Sequence, residues 1–146
     1  MRITQATIDQ AVQIGMMIGA LLAELSGEPD RVDREPCARE VLGLPSVTGL
    51  LAWQGDQPLG LLMLNECAAI YAGGRFGEIT ELYVVPEARS TGVAAALVAA
   101  AVRVAGDKGW RRIEVGAPAQ PAWARTLAFY ERQGFAPVGP RLRRIC

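Results

Sequence analysis

Residues 78–107 read EITELYVVPEARSTGVAAALVAAAVRVAGD, which places a strand, a glycine-containing turn and a small-residue helix directly one after another. The β-branched and aromatic residues from Ile79 to Val85 favour a strand, and Pro86 ends it because proline cannot donate to a hydrogen-bond ladder. The run of Ala, Val and Leu that follows predicts a helix up to Gly106. The segment therefore predicts a strand-turn-helix unit.

The turn of this unit has the properties of an anion-binding site. Gly92 allows the backbone to approach a ligand closely, and the first turn of a helix offers unpaired N–H groups at the positive end of the helix dipole. We therefore expect a phosphate to face the backbone N–H groups, with Arg89 adding charge at the entrance. The donors are those of Ser90, Thr91, Gly92, Val93 and Ala94. The alternative is an ordinary turn that uses Gly92 only for its backbone freedom.

Two short motifs resemble those of the GNAT superfamily of acyl-CoA-dependent N-acyltransferases. Arg89, Gly92 and Ala94 match its pyrophosphate-loop signature, which is Gln or Arg, two free positions, Gly, one free position, then Gly or Ala. About forty residues later, FYERQGF at 129–135 resembles its Tyr-x-x-x-Gly-Phe motif. The resemblance covers residues 45–138 well and the first forty residues only in outline.

The order of predicted elements agrees with such a fold. Turn residues and hydrophobic periodicity predict seven strands, at 1–5, 47–53, 59–69, 79–85, 112–115, 135–138 and 142–145. They also predict helices after Thr7, at 38–42, after Gly92 and at 121–133, with a polar loop at 26–36. We therefore expect one α/β domain of the α+β type over residues 1–146. Its mixed, mostly antiparallel central sheet of about seven strands is flanked by helices.

The resemblance implies an activity and several site residues. It implies an N-acetyltransferase that moves an acetyl group from acetyl-CoA, its co-substrate, directly to a primary amine of a small molecule or peptide. It places a strand bulge before the loop, where Leu82, Tyr83 and Val84 would offer backbone groups to the pantetheine and thioester. Tyr130 matches a tyrosine that can protonate the departing thiolate. A core role for Tyr130 is the alternative, since Trp123 and Leu127 share its helix face.

Glu81 and Glu114 are the candidate general bases. The sequence contains no histidine, so a conventional base for an ammonium acceptor has to be a carboxylate, acting directly or through water. Glu81 lies in the strand before the loop, and Glu114 in the next strand resembles the base of the family's protein-N-terminal acetyltransferases. A solvated strand face or an ion pair with a neighbouring arginine is the alternative for each.

Two features depart from the family's pattern. Trp123 stands seven residues before Tyr130, where the family often has an asparagine that contacts CoA. Residues 117–121 resemble an insertion between strand and helix. Both features change the predicted pantetheine contacts and the shape of the acceptor pocket.

Composition excludes several other classes of protein. Fifteen acidic and fifteen basic residues balance, and the basic ones are scattered, which disfavours a nucleic-acid binder. Three distant cysteines predict neither a disulfide framework nor a metal site, and they indicate a reducing, cytoplasmic setting. We expect no signal peptide and no membrane span, and a homodimer is possible through the final strand.

Acids near the acceptor side could favour a cationic substrate, although a solvated loop explains them as well: Glu24, Glu28, Asp30, Asp33 and Glu35. The alternative function is a non-catalytic acyl-CoA-binding or regulatory module.

Overall fold

The computed structural model describes all residues, 1–146, as one mixed sheet with helices on both faces. The strands are β1 (Arg2–Gln5), β2 (Val47–Gln54), β3 (Gln57–Ala69), β4 (Gly74–Val84) and β5 (Ile113–Val115). The helices are α1 (Ala11–Ser26), α2 (Glu35–Leu42), α3 (Val93–Lys108) and α4 (Ala124–Arg132).

The sheet follows the order of the sequence, β1-β2-β3-β4-β5. The first three pairings are antiparallel, whereas β4 and β5 pair in parallel from Gly77 opposite Ile113 to Ile79 opposite Val115. Parallel neighbours need a crossover connection, which α3 supplies. The prediction of a mixed, mostly antiparallel sheet is confirmed.

Side chains on the two faces of the sheet form separate apolar layers. Leu62, Leu64 and Ile79 pack with the buried face of α3. On the other face Leu61 and Met63 pack with α1 and the partly buried side chains of α2. This alternation along β3 is the period of two that a strand buried on both faces shows.

Trp110 fixes the end of the crossover against β4. Its ring covers Gly77, where a Cβ atom would overlap the indole. Its Nε1 donates a hydrogen bond to Glu66 Oε2 at 2.8 Å, and Gly77 N–H donates to Arg112 O at 3.1 Å. These contacts set the register in which β5 lies beside β4.

The prediction of about seven strands is wrong, because the sheet has five. The two missing strands were expected at 135–138 and 142–145. Proline at 137 and 140 removes ladder donors in this region, and Val138 and Leu142 are 77% and 92% exposed. No backbone group of residues 136–146 forms a hydrogen bond with another backbone group. A segment that buries no face lacks the packing that stabilises a strand.

Several boundaries also differ from the prediction. Helix α2 begins at Glu35, three residues earlier than expected, since Asp33 Oδ1 accepts the Glu35 N–H at 3.1 Å and Pro36 fits the first turn. Helix α4 begins at Ala124 instead of Pro121. Strand β4 begins at Gly74, five residues before its expected start at Ile79.

The segment Ile8–Ser26 is long and apolar enough to cross a membrane by the criteria of length and composition alone. In this fold Ile14 and Met17 of the segment are buried against the sheet. The core helix of a globular protein passes the same test of length and composition.

Candidate acetyl-CoA and acceptor site

The loop between β4 and α3 presents an uninterrupted row of free backbone donors. None of the backbone N–H groups from Ser90 to Ala95 has an acceptor in the protein, and the first helical bond runs from Ala96 N–H to Gly92 O at 3.0 Å. Six consecutive unpaired donors at a helix N-terminus form a site for an anion with several oxygens, such as a pyrophosphate.

Gly92 takes a backbone conformation that most residues avoid. Its φ of 91° lies in the left-handed region, and it is the N-cap residue directly before α3. A Cβ atom placed there would meet nothing within 4 Å, so it would project into open space beside the free donors. Ser90 also has positive φ, at 62°, which helps to turn successive N–H groups in one direction.

Arg89 is held by groups on the α1 side of the sheet. Its Nη2 lies 2.6 Å from Glu24 Oε1 and its Nε donates to Val84 O at 2.9 Å. The guanidinium also lies 5.6 Å from the centre of the Tyr83 ring. In this arrangement the charge of Arg89 is neutralised by Glu24, whereas the sequence predicted that it would face a phosphate.

Strand β4 contains a bulge, located at Thr80. Met63 is opposite Glu81 and Leu64 is opposite Ile79, so Thr80 is the extra residue. The resemblance placed the bulge at Leu82 to Val84, two residues later. Because an extra residue changes which side chains face each layer, Ile79 joins Leu82 on the α3 face. Glu81 stays on the face of Tyr83, as predicted.

Beyond the bulge one edge of β4 is open. Strand β5 pairs with β4 only as far as Ile79, so no strand lies beside Thr80 to Val84 on that edge. Val85 N–H donates to Leu59 O at 2.9 Å toward β3, and alternation therefore directs the backbone groups of Leu82 and Val84 toward the open edge. The carbonyl of Val84 accepts from Arg89, which agrees with this direction.

Three carboxylates share the face of the sheet opposite α3. Glu78 is in register with Glu114 across the β4–β5 pairing. Ile113 and Val115 pack toward α3, so Glu114 points away from it. Glu81 lies on the same face as Glu78 only because of the bulge, since without it residues 78 and 81 would face opposite sides.

Each of these carboxylates has a partner. The Thr80 hydroxyl donates to Glu81, and Arg112 Nη1 lies 3.4 Å from Glu114 Oε2. Glu78 forms an ion pair with Arg141. Sequence reasoning selected Glu81 and Glu114 and missed Glu78. The signal for it was the register of the parallel strands, which no local pattern reveals.

Cys67 of β3 lies beside Glu78 of the neighbouring strand β4. Its Sγ is 3.8 Å from Glu78 Oε2 and 3.6 Å from Asn65 Nδ2. Burial raises the pKa of the Cys67 thiol, and the charge of Glu78 raises it further. The thiol therefore stays neutral at physiological pH. No group of three or more His, Cys, Asp or Glu side chains is arranged to hold a metal ion.

Tyr130 is buried in a small aromatic cluster at the end of α4. Its ring meets Phe129 and Phe135 edge to face, at centroid distances of 5.4 and 5.5 Å. Gly134, with φ of 93°, turns the chain back, and Phe135 N–H donates to Tyr130 O at 3.0 Å. This explains structurally the spacing of the Tyr-x-x-x-Gly-Phe motif. The Tyr130 hydroxyl has no protein partner yet is not sealed from solvent.

Burial raises the pKa of Tyr130 to about 12, so its phenol is protonated across the physiological range. In an absorbance titration, the difference between the native protein and Tyr130→Phe should show one phenol ionising near pH 12. An ordinary tyrosine ionises near pH 10. Because the folded-state pKa is the higher one, the associated stability is complete below about pH 10 and is lost as the pH rises through about 12. Ionisation near pH 10 would contradict this environment.

The remaining predicted features are accounted for locally. Trp123 occupies the position before α4, and its carbonyl accepts from Gln120 Nε2 at 3.3 Å within the irregular segment 116–123.

Most acidic residues of α1, of α2 and of the segment that connects them form ion pairs or hydrogen bonds with neighbouring residues. The pairs are Glu24 with Arg89, Asp30 with Arg34 and Glu35 with Arg39, while Asp33 Oδ1 accepts the Glu35 N–H. These contacts favour the structural explanation of those acids over recognition of a cationic substrate.

Comparison with known proteins identifies the family. The family model described as the acetyltransferase (GNAT) family matches residues 18–135. No curated protein matches the sequence significantly. Similar solved structures include a ribosomal-protein-alanine N-acetyltransferase from Brucella melitensis biovar Abortus 2308, with 21% identity, a TM-score of 0.78 and coverage of 99% of both chains.

Two further structures share the fold at low identity. An aminoglycoside acetyltransferase from an uncultured soil metagenomic sample is 17% identical over 99% of this chain and 97% of its own, with a TM-score of 0.82. A transcriptional regulator from Bacillus halodurans C-125 is 20% identical over 99% of both chains, with a TM-score of 0.84. At these identities the structures establish the fold alone. The family model spans most of the sequence, and the chain belongs to the GNAT family of acetyltransferases.

Proposed function

We propose that this protein transfers an acetyl group from acetyl-CoA directly to a primary amine of a small molecule or peptide. The observation that carries the proposal is the row of unpaired N–H groups from Ser90 to Ala95 beside the left-handed Gly92. That row fits the pyrophosphate of CoA, with its several charged oxygens. Thr91 and Val93 contribute to it through their backbone, so its chemistry depends little on their side chains.

The open edge of β4 supports the second half of the binding site. The backbone groups of Leu82 and Val84 would bind the amide groups of the pantetheine chain. Tyr83 packs into the apolar layer on the α1 side of the sheet and so holds the strand in place. A backbone N–H on this edge would stabilise the charge that develops on the thioester oxygen. The open edge ends at Val84 and the loop begins five residues later at Arg89, so the two halves are adjacent in the chain.

The face of the sheet that carries Glu78, Glu81 and Glu114, here called the carboxylate face, is the proposed binding side for the acceptor amine. An alkylamine is protonated at neutral pH, so transfer requires removal of a proton before attack. Glu81 and Glu114 are the proposed bases, directly or through a water molecule, and Glu78 joins them as a third candidate. Tyr130, whose phenol carries its proton at neutral pH, would protonate the departing thiolate. No covalent bond between enzyme and acetyl group is needed.

The direct test is release of CoA thiol from acetyl-CoA in the presence of a panel of primary amines, with product mass measured in parallel. Transfer should add one acetyl group to at least one amine. Tight acetyl-CoA binding with no turnover on polyamines, aminoglycosides or peptide N-termini would instead indicate a non-catalytic binding module.

The pH–rate profile should identify the base. In single Gln variants of Glu78, Glu81 and Glu114, the essential position should show a depressed kcat that recovers at high pH as free amine accumulates. Gln keeps the shape of the side chain but cannot accept the proton. A triple variant with the parental profile would show that bulk water takes the proton.

A cytoplasmic location and a homodimer remain part of the proposal. The three cysteines are unpaired, with Cys67 half-buried and the other two exposed, which suits a reducing compartment. The homodimer was predicted through a final strand that this structure does not form. Sedimentation of the purified protein measures its assembly state directly.

A further inference from the structure

Residues 136–146 form an arm whose one hydrogen bond or ion pair to the rest of the domain comes from a single side chain. No backbone group of residues 136–146 bonds to another backbone group. Val138, Leu142 and Ile145 are all more than three-quarters exposed, so the arm buries little apolar surface. The one ion pair between the arm and the rest of the protein joins Arg141 to Glu78.

Arg141 lies in a position shaped to receive it. Its side chain passes over Gly116, directly after β5, where a Cβ atom would come within 2.6 Å of Arg141 Nη1. The absence of a side chain at Gly116 therefore opens the path from the arm to Glu78. The Glu78 side chain is only 20% exposed in the pair.

The ion pair lies on the carboxylate face of the sheet. Glu78 is in register with Glu114, and Glu81 lies on the same face beyond the bulge. In the proposed function this is the side from which a cationic acceptor amine approaches. The guanidinium of Arg141 already occupies the place that an incoming cation would take.

We propose that the Arg141–Glu78 ion pair is an autoinhibitory contact, in which the arm of residues 136–146 competes with a cationic acceptor for the carboxylate face. This inference rests on the proposed function for the identity of the competitor. The attachment of the arm through Arg141 does not depend on the proposed function.

The arm is suited to displacement because few interactions oppose its release. An ion pair in which Arg141 is 66% exposed is weakened by solvent and salt. Release also returns conformational freedom to the residues of the arm. A cation that meets Glu78 can therefore replace Arg141 without unfolding any strand or helix.

Motion of the arm tests the attachment without any catalytic assay. Backbone order parameters for Leu142 and Ile145, measured by nitrogen-15 relaxation, should fall below about 0.6 in Glu78→Gln and Arg141→Gln. Arg143→Gln removes an arginine of the same arm that has no partner, and it should match the native protein. Equal mobility of the arm in all four proteins would overturn the proposal.

Spermidine tests the competition in the absence of acetyl-CoA. Added to the native protein, it should increase arm mobility toward that of Glu78→Gln, whereas sodium chloride at equal ionic strength should have less effect. If spermidine changes the arm no more than sodium chloride does, competition by a polyamine cation is excluded and the proposal fails. This readout stands even if no amine is acetylated, so it separates failure of the inference from failure of the proposed function.

Enzyme kinetics supply the last part of the test. With a polyamine acceptor, Arg141→Gln should lower KM roughly 2- to 5-fold with little change in kcat, as expected for loss of a partly exposed competing ion pair. Arg143→Gln should leave KM unchanged. An unchanged or higher KM in Arg141→Gln would overturn the autoinhibitory role.

Discussion

Replacing Gly92 by glutamate is expected to lower the affinity for acetyl-CoA roughly 100-fold or more. The new side chain would project into the open space beside the unpaired N–H groups, and its charge would repel a pyrophosphate. Loss of two hydrogen bonds to a charged group costs at least about 3 kcal/mol, which corresponds to that factor. The φ of 91° adds strain for any residue other than glycine. Titration calorimetry with acetyl-CoA measures the change.

Gly106→Glu is the matched control for this variant. It introduces the same side chain in the same helix, at a position where a Cβ atom also meets open space but where the backbone is helical. Its affinity for acetyl-CoA should stay within about 3-fold of the native value, because the loop from Arg89 to Ala94 is untouched. Gly92→Val, which lacks the charge, should also weaken binding steeply. Unchanged affinity in both Gly92 variants would remove the loop from the binding site.

Tyr130→Phe is expected to lower kcat roughly 10- to 1,000-fold while leaving acetyl-CoA affinity nearly unchanged, if the phenol donates a proton to the departing thiolate. Its hydroxyl has no protein partner, so the substitution removes no internal hydrogen bond. The ring contacts with Phe129 and Phe135 are kept, and the melting temperature should change little. A loss of kcat is then attributable to the hydroxyl.

Tyr71→Phe provides the control, because Tyr71 is 70% exposed in the turn before β4, on a different element from Tyr130. It should leave kcat unchanged. If Tyr130→Phe also keeps the native kcat on a verified acceptor, Tyr130 is an aromatic core residue that happens to occupy the motif. Thiol release would then take its proton from solvent.

Local sequence was sufficient wherever the physical cause was local. The strand, a turn that needs the backbone freedom of Gly92 and the start of a helix after it follow from residues adjacent in the chain, and the structure has each of them. Strands β2 and β3 and the helix that follows Thr7 were also predicted from turn residues and periodicity. The end of α4, predicted at Gln133 and found at Arg132, belongs to the same group.

The final strands show where such reasoning fails. Residues 135–138 and 142–145 contain apolar residues between turn signals, which satisfies the pattern of a strand. A strand also needs a neighbour to pair with and a face to bury, and neither condition is visible in the pattern. The homodimer prediction failed to gain support for the same reason, since it depended on the last of these strands.

The sequence by itself determined the strand-turn-helix unit around Gly92, the mixed sheet and the residue types available for proton transfer, because these depend on local backbone preferences and on composition. Only the tertiary structure decided which side chains meet. The one-residue bulge at Thr80 brings Glu78 and Glu81 to one face, the parallel register sets Glu78 beside Glu114, and the arm brings Arg141 to Glu78. Register and long-range ion pairs join residues distant in the chain, and their energies depend on distance and solvent exposure, which exist only after the chain has folded.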